Sequence, residues 1–424
     1  GAVAAQTKTY DGNTLADTSK FGAVLSNAIA GDDVKATATG AAYNDKNVAG
    51  ASRIDYTGVG LAGSDAGNYT LAATTAQGAG TISRRTLTVG TVAAQSKTYD
   101  GNISADTSKF RATLGNVVEG EENSVTATAA GATYNDKNVA GASKVTYTGV
   151  QLTGTGAGNY SIANTAQGAG RITPKQLNLA LTTGARFDKT YDGNNRVTQS
   201  LTKGTNYTLT GFIGTEGDHL ALAAATGTYT DKNAAADKAV TFGGLTLTGT
   251  GTGAGNYTLD KTTLTGTGTI TQRTLTLAAV AGQTFDKVYD GTRNAGDALK
   301  KGENYTLSNF ADGEGAGITV TSTGTGSYAD KNVGTHAVNY TGLTLTGAGA
   351  SNYRLNTATL TGTGTITPRT LTLTADAKSI VQGEALPSFT GRADGFADGE
   401  DERVFGADGI TFGTTLTNTD TPGS

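Results

Sequence analysis

Apolar and polar residues alternate with a period of two through much of the chain. Ile54/Tyr56, Val145/Tyr147, Val240/Phe242 and Val338/Tyr340 each share one face of a short run, with Asp55, Thr146, Thr241 or Asn339 between them. This pattern predicts strands that bury one face and wet the other. After Gly58, Gly149, Gly244 and Gly342 the same face is expected to continue through Val59/Leu61, Val150/Leu152, Leu245/Leu247 and Leu343/Leu345. Thr fills many intervening positions, in keeping with its β propensity. Asp-Gly, Gly-Asn and Gly-Gly steps punctuate the runs as tight turns require. No stretch sustains a 3.6-residue period with caps; a single helical turn is expected at Asp297 to Lys301.

The alternating runs recur at long period, the mark of a repeat architecture. Lys8-Thr9-Tyr10-Asp11-Gly12 returns at Lys97 to Gly101, Lys189 to Gly193 and Lys287 to Gly291, at spacings of 89, 92 and 98 residues. A Tyr followed by Asp-Lys-Asn recurs at Tyr43/Asn47, Tyr134/Asn138, Tyr229/Asn233 and Tyr328/Asn332, and an Asn-Tyr pair at Asn68, Asn159, Asn256 and Asn352. The first interval grows along the chain (33, 35, 38, 39), whereas the second stays near 26, so length variation lies in the first half of each repeat. A shared boundary of the form Thr365-Ile366-Thr367-Pro368-Arg369-Thr370-Leu371 closes one repeat and opens the next, with about two residues between strands. Residues 1–85, 86–175, 176–273 and 274–369 are therefore read as four repeats, and 370–424 as an incomplete fifth domain. Each repeat, with several short strands over one small core, is expected to be a β-sandwich. The fold class is all-β, a tandem array of Ig-like sandwiches forming an extended rod.

These residues resemble a known family. The Tyr-Asp-Gly marker, the Asp-Lys-Asn-Val segment, Gly67-Asn68-Tyr69-Thr70-Leu71 and the closing boundary look like the YDG repeat, and Leu371-Thr372-Leu373 with Gln382-Gly383-Glu384-Ala385-Leu386-Pro387 looks like an MBG domain, a mostly bacterial Ig-like module. The resemblance covers nearly the whole chain. It implies a stalk or binding segment of a large Gram-negative adhesin, such as the filamentous-haemagglutinin-like proteins of two-partner secretion or CdrA-like biofilm-matrix adhesins. It also implies an extracellular location, an outer-membrane two-partner transporter, and contact with exopolysaccharide, a host or neighbouring-cell surface, or other copies of the chain. A specific carbohydrate-binding module is the alternative reading, favoured if Tyr side chains line one exposed face.

Composition narrows the chemistry. Charged residues make up 16% of 424, the net charge is -4, and there is no Cys, Met or Trp and only two His. Nucleic acid is not an expected partner, because phosphate binding needs a clustered basic face. No apolar run approaches the roughly 20 residues of a membrane helix. No signal peptide is expected within the residues that follow Gly1, and a start without Met with an end at Thr421-Pro422-Gly423-Ser424 is expected of a piece of something longer. The chain is not expected to be an enzyme, and His219 and His336 occupy non-equivalent places. Gly58-Val59-Gly60-Leu61-Ala62-Gly63 fits the dinucleotide pattern only literally, since a strand rather than a helix is expected after it.

Four features remain as candidate sites. Asp11, Asp100, Asp192 and Asp290, each between Tyr and Gly, read first as turn residues, with the Gly at positive φ and the Tyr as a half-buried anchor with a wet hydroxyl. The acidic loops Asp32/Asp33, Glu121/Glu122, Glu216/Asp218, Asp312/Glu314 and Asp398/Glu400 offer carboxylates suited to Ca²⁺, though too few to fill its shell. Lys, Asn and Asp of the Asp-Lys-Asn segment are the residue types of an isopeptide crosslink, with Lys8 and its equivalents as partners. Adjacent strand residues face opposite ways and cannot react with each other. Asn68, Asn159 and Asn256, with Asn206 and Asn304, match the glycosylation acceptor pattern.

Overall fold

A computed structural model describes residues 1–250, 253–296 and 299–417; the first two residues of the turn expected at Asp297 to Lys301 lie outside the described residues, and Lys301 forms a bridge with Tyr305. Regular structure there is strand, interrupted by 3-10 turns of three or four residues. The chain divides into two compact units. One comprises Gly1–Leu179, Leu209–Ala223 and Thr246–Lys261; the other comprises Ala180–Thr208, Ala224–Leu245 and the residues from Thr262 onward.

In the first unit each repeat supplies a four-stranded sheet. Gln6–Thr9, Thr75–Ser83, Arg53–Thr57 and Gly40–Tyr43 lie in that order, and Gln95–Thr98, Thr165–Thr173, Lys144–Thr148 and Gly131–Tyr134 repeat it. The outer pair is parallel (Gln6↔Gly80, Gln95↔Gly170) and the others antiparallel. Register places Ile54 and Tyr56, or Val145 and Tyr147, on one face, and all four are wholly buried. The face predicted by alternation is the core face.

Beyond these runs the chain does not stay in the same sheet. Gly58 and Gly149 take φ of 57° and 61°, a conformation that L side chains rarely adopt. The following strands, Gly60–Ala62 and Gln151–Thr153, pair with Lys35–Thr37 and Thr126–Thr128 in a facing layer. Val59 and Val150 remain buried, so each Gly carries the chain across the core instead of along one sheet. The second repeat completes this layer with its opening strands. Arg85–Thr86 runs parallel to Tyr160–Ser161, and Thr88–Val92 runs antiparallel to Ala112–Gly115.

Only Arg84 separates Thr75–Ser83 from Arg85–Thr86. One nearly continuous strand therefore leaves the four-stranded sheet of repeat 1 and enters the facing layer of repeat 2. Its buried residues Ile82 and Leu87 join one cluster with Tyr10, Tyr43, Ile54 and Tyr56 of repeat 1 and Val125 and Tyr160 of repeat 2. The core is continuous across the sequence boundary.

The second unit follows the same plan. Its four-stranded sheets are Lys189–Thr190, Leu264–Thr271, Ala235–Phe242, Gly227–Tyr229 and Lys287–Val288, Leu360–Thr367, Gly334–Tyr340, Ser327–Tyr328. The opening strand of repeat 4, Arg273–Ala279, is central in its layer, between Tyr305–Ser308 and Tyr353–Leu355. In the last domain Thr372–Ala375 pairs with Gly391–Asp394. The division between units falls inside repeat 3. Leu220–Leu222, Leu247–Gly249 and Tyr257–Leu259 belong to the first unit, and the four-stranded sheet belongs to the second.

Each repeat also seats one Phe against its central aromatic, but from two different places. Phe21 and Phe110, after a 3-10 turn, lie 4.6 Å from Tyr56 and Tyr147. In repeats 3 and 4 the partner comes from just ahead of the marker Lys: Phe187 lies 4.7 Å from Phe242, and Phe285 lies 5.2 Å from Tyr340. The same volume is filled by exchanged positions.

Candidate functional site: a tyrosine–glutamate clasp at the repeat boundaries

The Tyr-Asp-Gly loop is first folded from within. Lys8 Nζ donates to Asp11 Oδ1 at 2.8 Å and to the carbonyls of Asn13 and Leu15, while the Asn13 amide donates to Asp11 Oδ1. Lys97, Lys189 and Lys287 do the same to Asp100, Asp192 and Asp290 at 2.7, 2.6 and 2.7 Å. Each ammonium also lies 5.1–5.6 Å from the ring of the Tyr that precedes Asp-Lys-Asn: Tyr43, Tyr134, Tyr229 or Tyr328. That is a cation–π distance. Gly12, Gly101, Gly193 and Gly291 take φ of 83°, 81°, 84° and 78°. The turn reading of these carboxylates is what the structure shows.

The adjacent tyrosines correct the expectation of a wet hydroxyl. Tyr10, Tyr99 and Tyr191 are buried, and each phenol donates to a glutamate of the following repeat: Glu121 at 2.6 Å, Glu216 at 2.8 Å and Glu314 at 2.8 Å. The second carboxylate oxygen accepts from the Asn-Tyr tyrosine, Tyr160 at 2.6 Å, Tyr257 at 2.6 Å and Tyr353 at 2.7 Å. The two rings meet edge to face at 5.3–5.4 Å in each case. Tyr289, half-buried, donates to Glu400 of the last domain. Charge-assisted bonds of this kind are about twice as strong as neutral ones.

A second contact flanks the first. Asn159 Oδ1 accepts from the Val48 amide at 2.9 Å, and its Nδ2 donates to Asn47 Oδ1. Asn256 bonds Val139 and Asn138 in the same way, and Asn352 bonds Ala234 and Asn233. Lys46 and Lys232 approach Glu121 and Glu314 at 3.7 and 2.6 Å. Val118, Ile213, Ala311 and Ala397 close over Gly12, Gly101, Gly193 and Gly291, where an added Cβ would stand 2.8–3.4 Å away. Markers that are scattered along the sequence thus meet at one place.

Burial favours the neutral form of Glu121, but the phenols of Tyr10 and Tyr160 and the ammonium of Lys46 outweigh it and hold the carboxyl below its ordinary range. Glu314 is held low against its own burial by Lys232, Tyr353 and Tyr191. Desolvation, then the neighbouring carboxylate, pushes Tyr160, Tyr257 and Tyr353 up to about 12. Tyr10 and Tyr99 are raised for the same reasons.

The acidic loops therefore use one carboxylate each for tyrosine. Glu122, Asp218, Asp312 and Asp398 stay exposed, and Asp33 accepts from the Ser64 amide. Among the described residues no group of three or more His, Asp or Glu comes together to hold a metal ion. Asp45 bonds Asn47, and Lys8 bonds Asp11 and Asn13 of its own loop rather than the Asp-Lys-Asn segment, so the pairing expected between that segment and Lys8 is not formed. Asn159 and Asn256 are buried and bonded through both side-chain atoms, which corrects their reading as glycan acceptors; Asn68 is exposed. His336 Nε2 lies against the Asn332 carbonyl, and His219 closes a 3-10 turn.

The first repeat carries half of the arrangement. Tyr69 donates to Asp32 at 2.6 Å and accepts from the Ile29 amide, but Ile29, in the place of Val118, is 69% exposed. The sequence signal for the clasp was present as recurring markers. What it did not carry was that Tyr, Glu and Asn of different repeats belong to one site.

No curated protein matches this chain. Among solved structures, the human desmocollin-1 ectodomain aligns over 88% of this chain and 81% of its own at 8% identity, with a TM-score of 0.20, too low to bear on function. The YDG domain profile matches residues 1–76, 83–168, 173–264 and 271–362, and the profile of the MBG domain (YGX type) matches 371–424. Together they are consistent with an adhesin-like repeat region. The chain belongs to the YDG domain family, in four tandem copies followed by an MBG domain.

Proposed function

We propose that this chain is a structural and adhesive stalk segment of a large secreted or surface-attached bacterial adhesin, serving cell–cell or cell–matrix adhesion and biofilm formation without catalysis. One observation carries the reading: a buried Tyr–Glu–Tyr clasp recurs at three successive boundaries. Interfaces that repeat in series, the first of them with a core shared by both repeats, suit a segment that transmits tension. Export by an outer-membrane two-partner transporter, self-association and contact with exopolysaccharide or other cells belong to the same proposal. Of 17 tyrosines, 15 are buried, which leaves no tyrosine row for sugar stacking and weighs against the carbohydrate-module reading.

The test is an in-frame deletion of this segment from the parent protein in the producing cell. Aggregation and biofilm should fall, and an unrelated array of Ig-like domains of similar length should restore them if the segment spaces. Unchanged adhesion after deletion would overturn the proposal.

A further inference from the structure

Repeats 2 and 4 close the same side of the core differently. In repeat 4 Tyr305 reaches from its own strand, Tyr305–Ser308, to the strand Thr319–Ser322: it is wholly buried, and its hydroxyl accepts from the Val320 amide at 2.7 Å. Leu307, Ile318 and Val320 are buried with it. Repeat 3 carries the buried Tyr207 at this position, and each Tyr bridges to the Lys four residues before it, Lys203 or Lys301. Repeat 2 has Ala112 instead. Asn116 and Asn309, both at positive φ and both bonded by the Arg of the opening strand, fix Ala112 as the counterpart of Tyr305.

The facing strand is reduced as well. Ala127 lies opposite Leu152 as Val320 lies opposite Leu345, so a second Ala stands where repeat 4 has Val. These two small side chains leave an open groove of about 800 Å³ between Ala112–Gly115 and Thr126–Thr128, lined by Phe110, Ala112, Leu114, Val117, Val125 and Ala127. Leu114 is half-buried there, whereas its counterpart Leu307 is buried. In a strand the face taken by a side chain also sets the side to which that residue's amide points. Ala127 turns its methyl to the core as Val320 does, so its amide faces away from Gln151–Thr153 and into the groove.

We propose that the groove of repeat 2 binds a tyrosine side chain presented by an extended segment of a partner protein, with the ring between the two strands and the phenol oxygen accepting from the Ala127 amide. Tyr305 shows the chemistry that this slot takes, an aromatic ring with one polar end meeting one backbone donor. The groove is larger than one ring, and the residues flanking the tyrosine lie along the rest of it. A second folded copy is not the partner. Its two tyrosines that are not buried, Tyr69 and Tyr289, already bond Asp32 and Glu400.

The experiment titrates the 424-residue chain, with labelled Ala, Leu and Val methyl groups, with acetyl-Asn-Tyr-Thr-Leu-Ser-amide, the sequence of Asn304 to Ser308. Ring currents should shift the methyl signals of Ala112, Leu114, Val125 and Ala127. The same peptide with Phe for Tyr should bind about five-fold more weakly for want of one hydrogen bond, and with Ala for Tyr it should leave the signals in place. Ala112→Tyr should fill the groove from within and abolish the response. Ala127→Leu, which installs the residue that repeat 3 carries as Leu222, should weaken it and serves if Ala112→Tyr does not fold. No shift with the Tyr peptide, equal shifts with all three peptides, or an unchanged response in whichever variant folds overturns the proposal. None of these readouts depends on adhesion.

Discussion

The hydroxyl of Tyr10 stands 2.6 Å from Oε1 of Glu121, a residue 111 positions farther along and in the next repeat. The same carboxylate accepts from Tyr160. Replacing Glu121 by Gln keeps the shape but leaves one oxygen to serve two phenols and turns an amide toward a hydroxyl. Loss of a bond to a charged group costs about 1.5–3 kcal/mol. Urea unfolding of Glu121→Gln should show this loss, and a double-mutant cycle with Tyr10→Phe should show coupling. Independent, additive effects would mean that the pair does not act as a unit.

Stability should fall at both ends of the pH scale. Glu121 and Glu314 are held below their ordinary range, so their contribution is full above the unfolded value of about 4.3 and is lost as pH drops through the lower folded value. Tyr160, Tyr257 and Tyr353 are raised to about 12, so theirs is full below about pH 10 and is lost as pH rises toward 12. Urea midpoints from pH 3 to 11 should trace a plateau with two falling edges. The acid edge should be shallower in Glu121→Gln.

Gly101 and Gly120 separate backbone strain from contact across a boundary. Both take a positive φ, 81° and 85°, but a Cβ on Gly101 would stand 3.0 Å from Ile213 whereas one on Gly120 meets nothing within 4 Å. Each Ala substitution should cost about 1–2 kcal/mol for the left-handed backbone. Gly101→Ala should cost more, and Ile213→Ala should relieve the excess. Equal losses at the two positions would show that the Ile213 contact contributes nothing.

Asn159 tests the flanking contact. Asn159→Ala leaves the Val48 amide and Asn47 without their partner and should lower stability by about 1–3 kcal/mol. If the protein is made in a glycosylating host, peptide mass analysis should find no sugar at Asn159 or Asn256, whereas exposed Asn68 is open to it. Full occupancy at Asn159 in folded protein would contradict the buried geometry.

Much of this molecule was legible in its sequence. Alternation at Ile54/Tyr56 and its three copies gave the core face, because a strand has only two faces and one of them must be dry. The four Tyr-Asp-Gly loops were legible as turns, since Lys, Asp and Gly there act within eight residues of one another. Local geometry is written locally.

Partners more than 100 residues apart were not. Tyr10 could be read as an anchor but not as a donor to Glu121, and Asn159 fitted a glycan motif as well as it fitted a buried bond to Val48. Equally, the exchange of Phe21 and Phe110 for Phe187 and Phe285 leaves no periodic trace, because packing requires a volume and not a sequence position. The sequence by itself determined strands, turns and the number of repeats. Only the tertiary structure decided that the core runs across the boundary of the first two repeats, because the strand from Thr75 to Thr86 crosses it with a single residue between its parts, and burying both ends joins two repeats in one core.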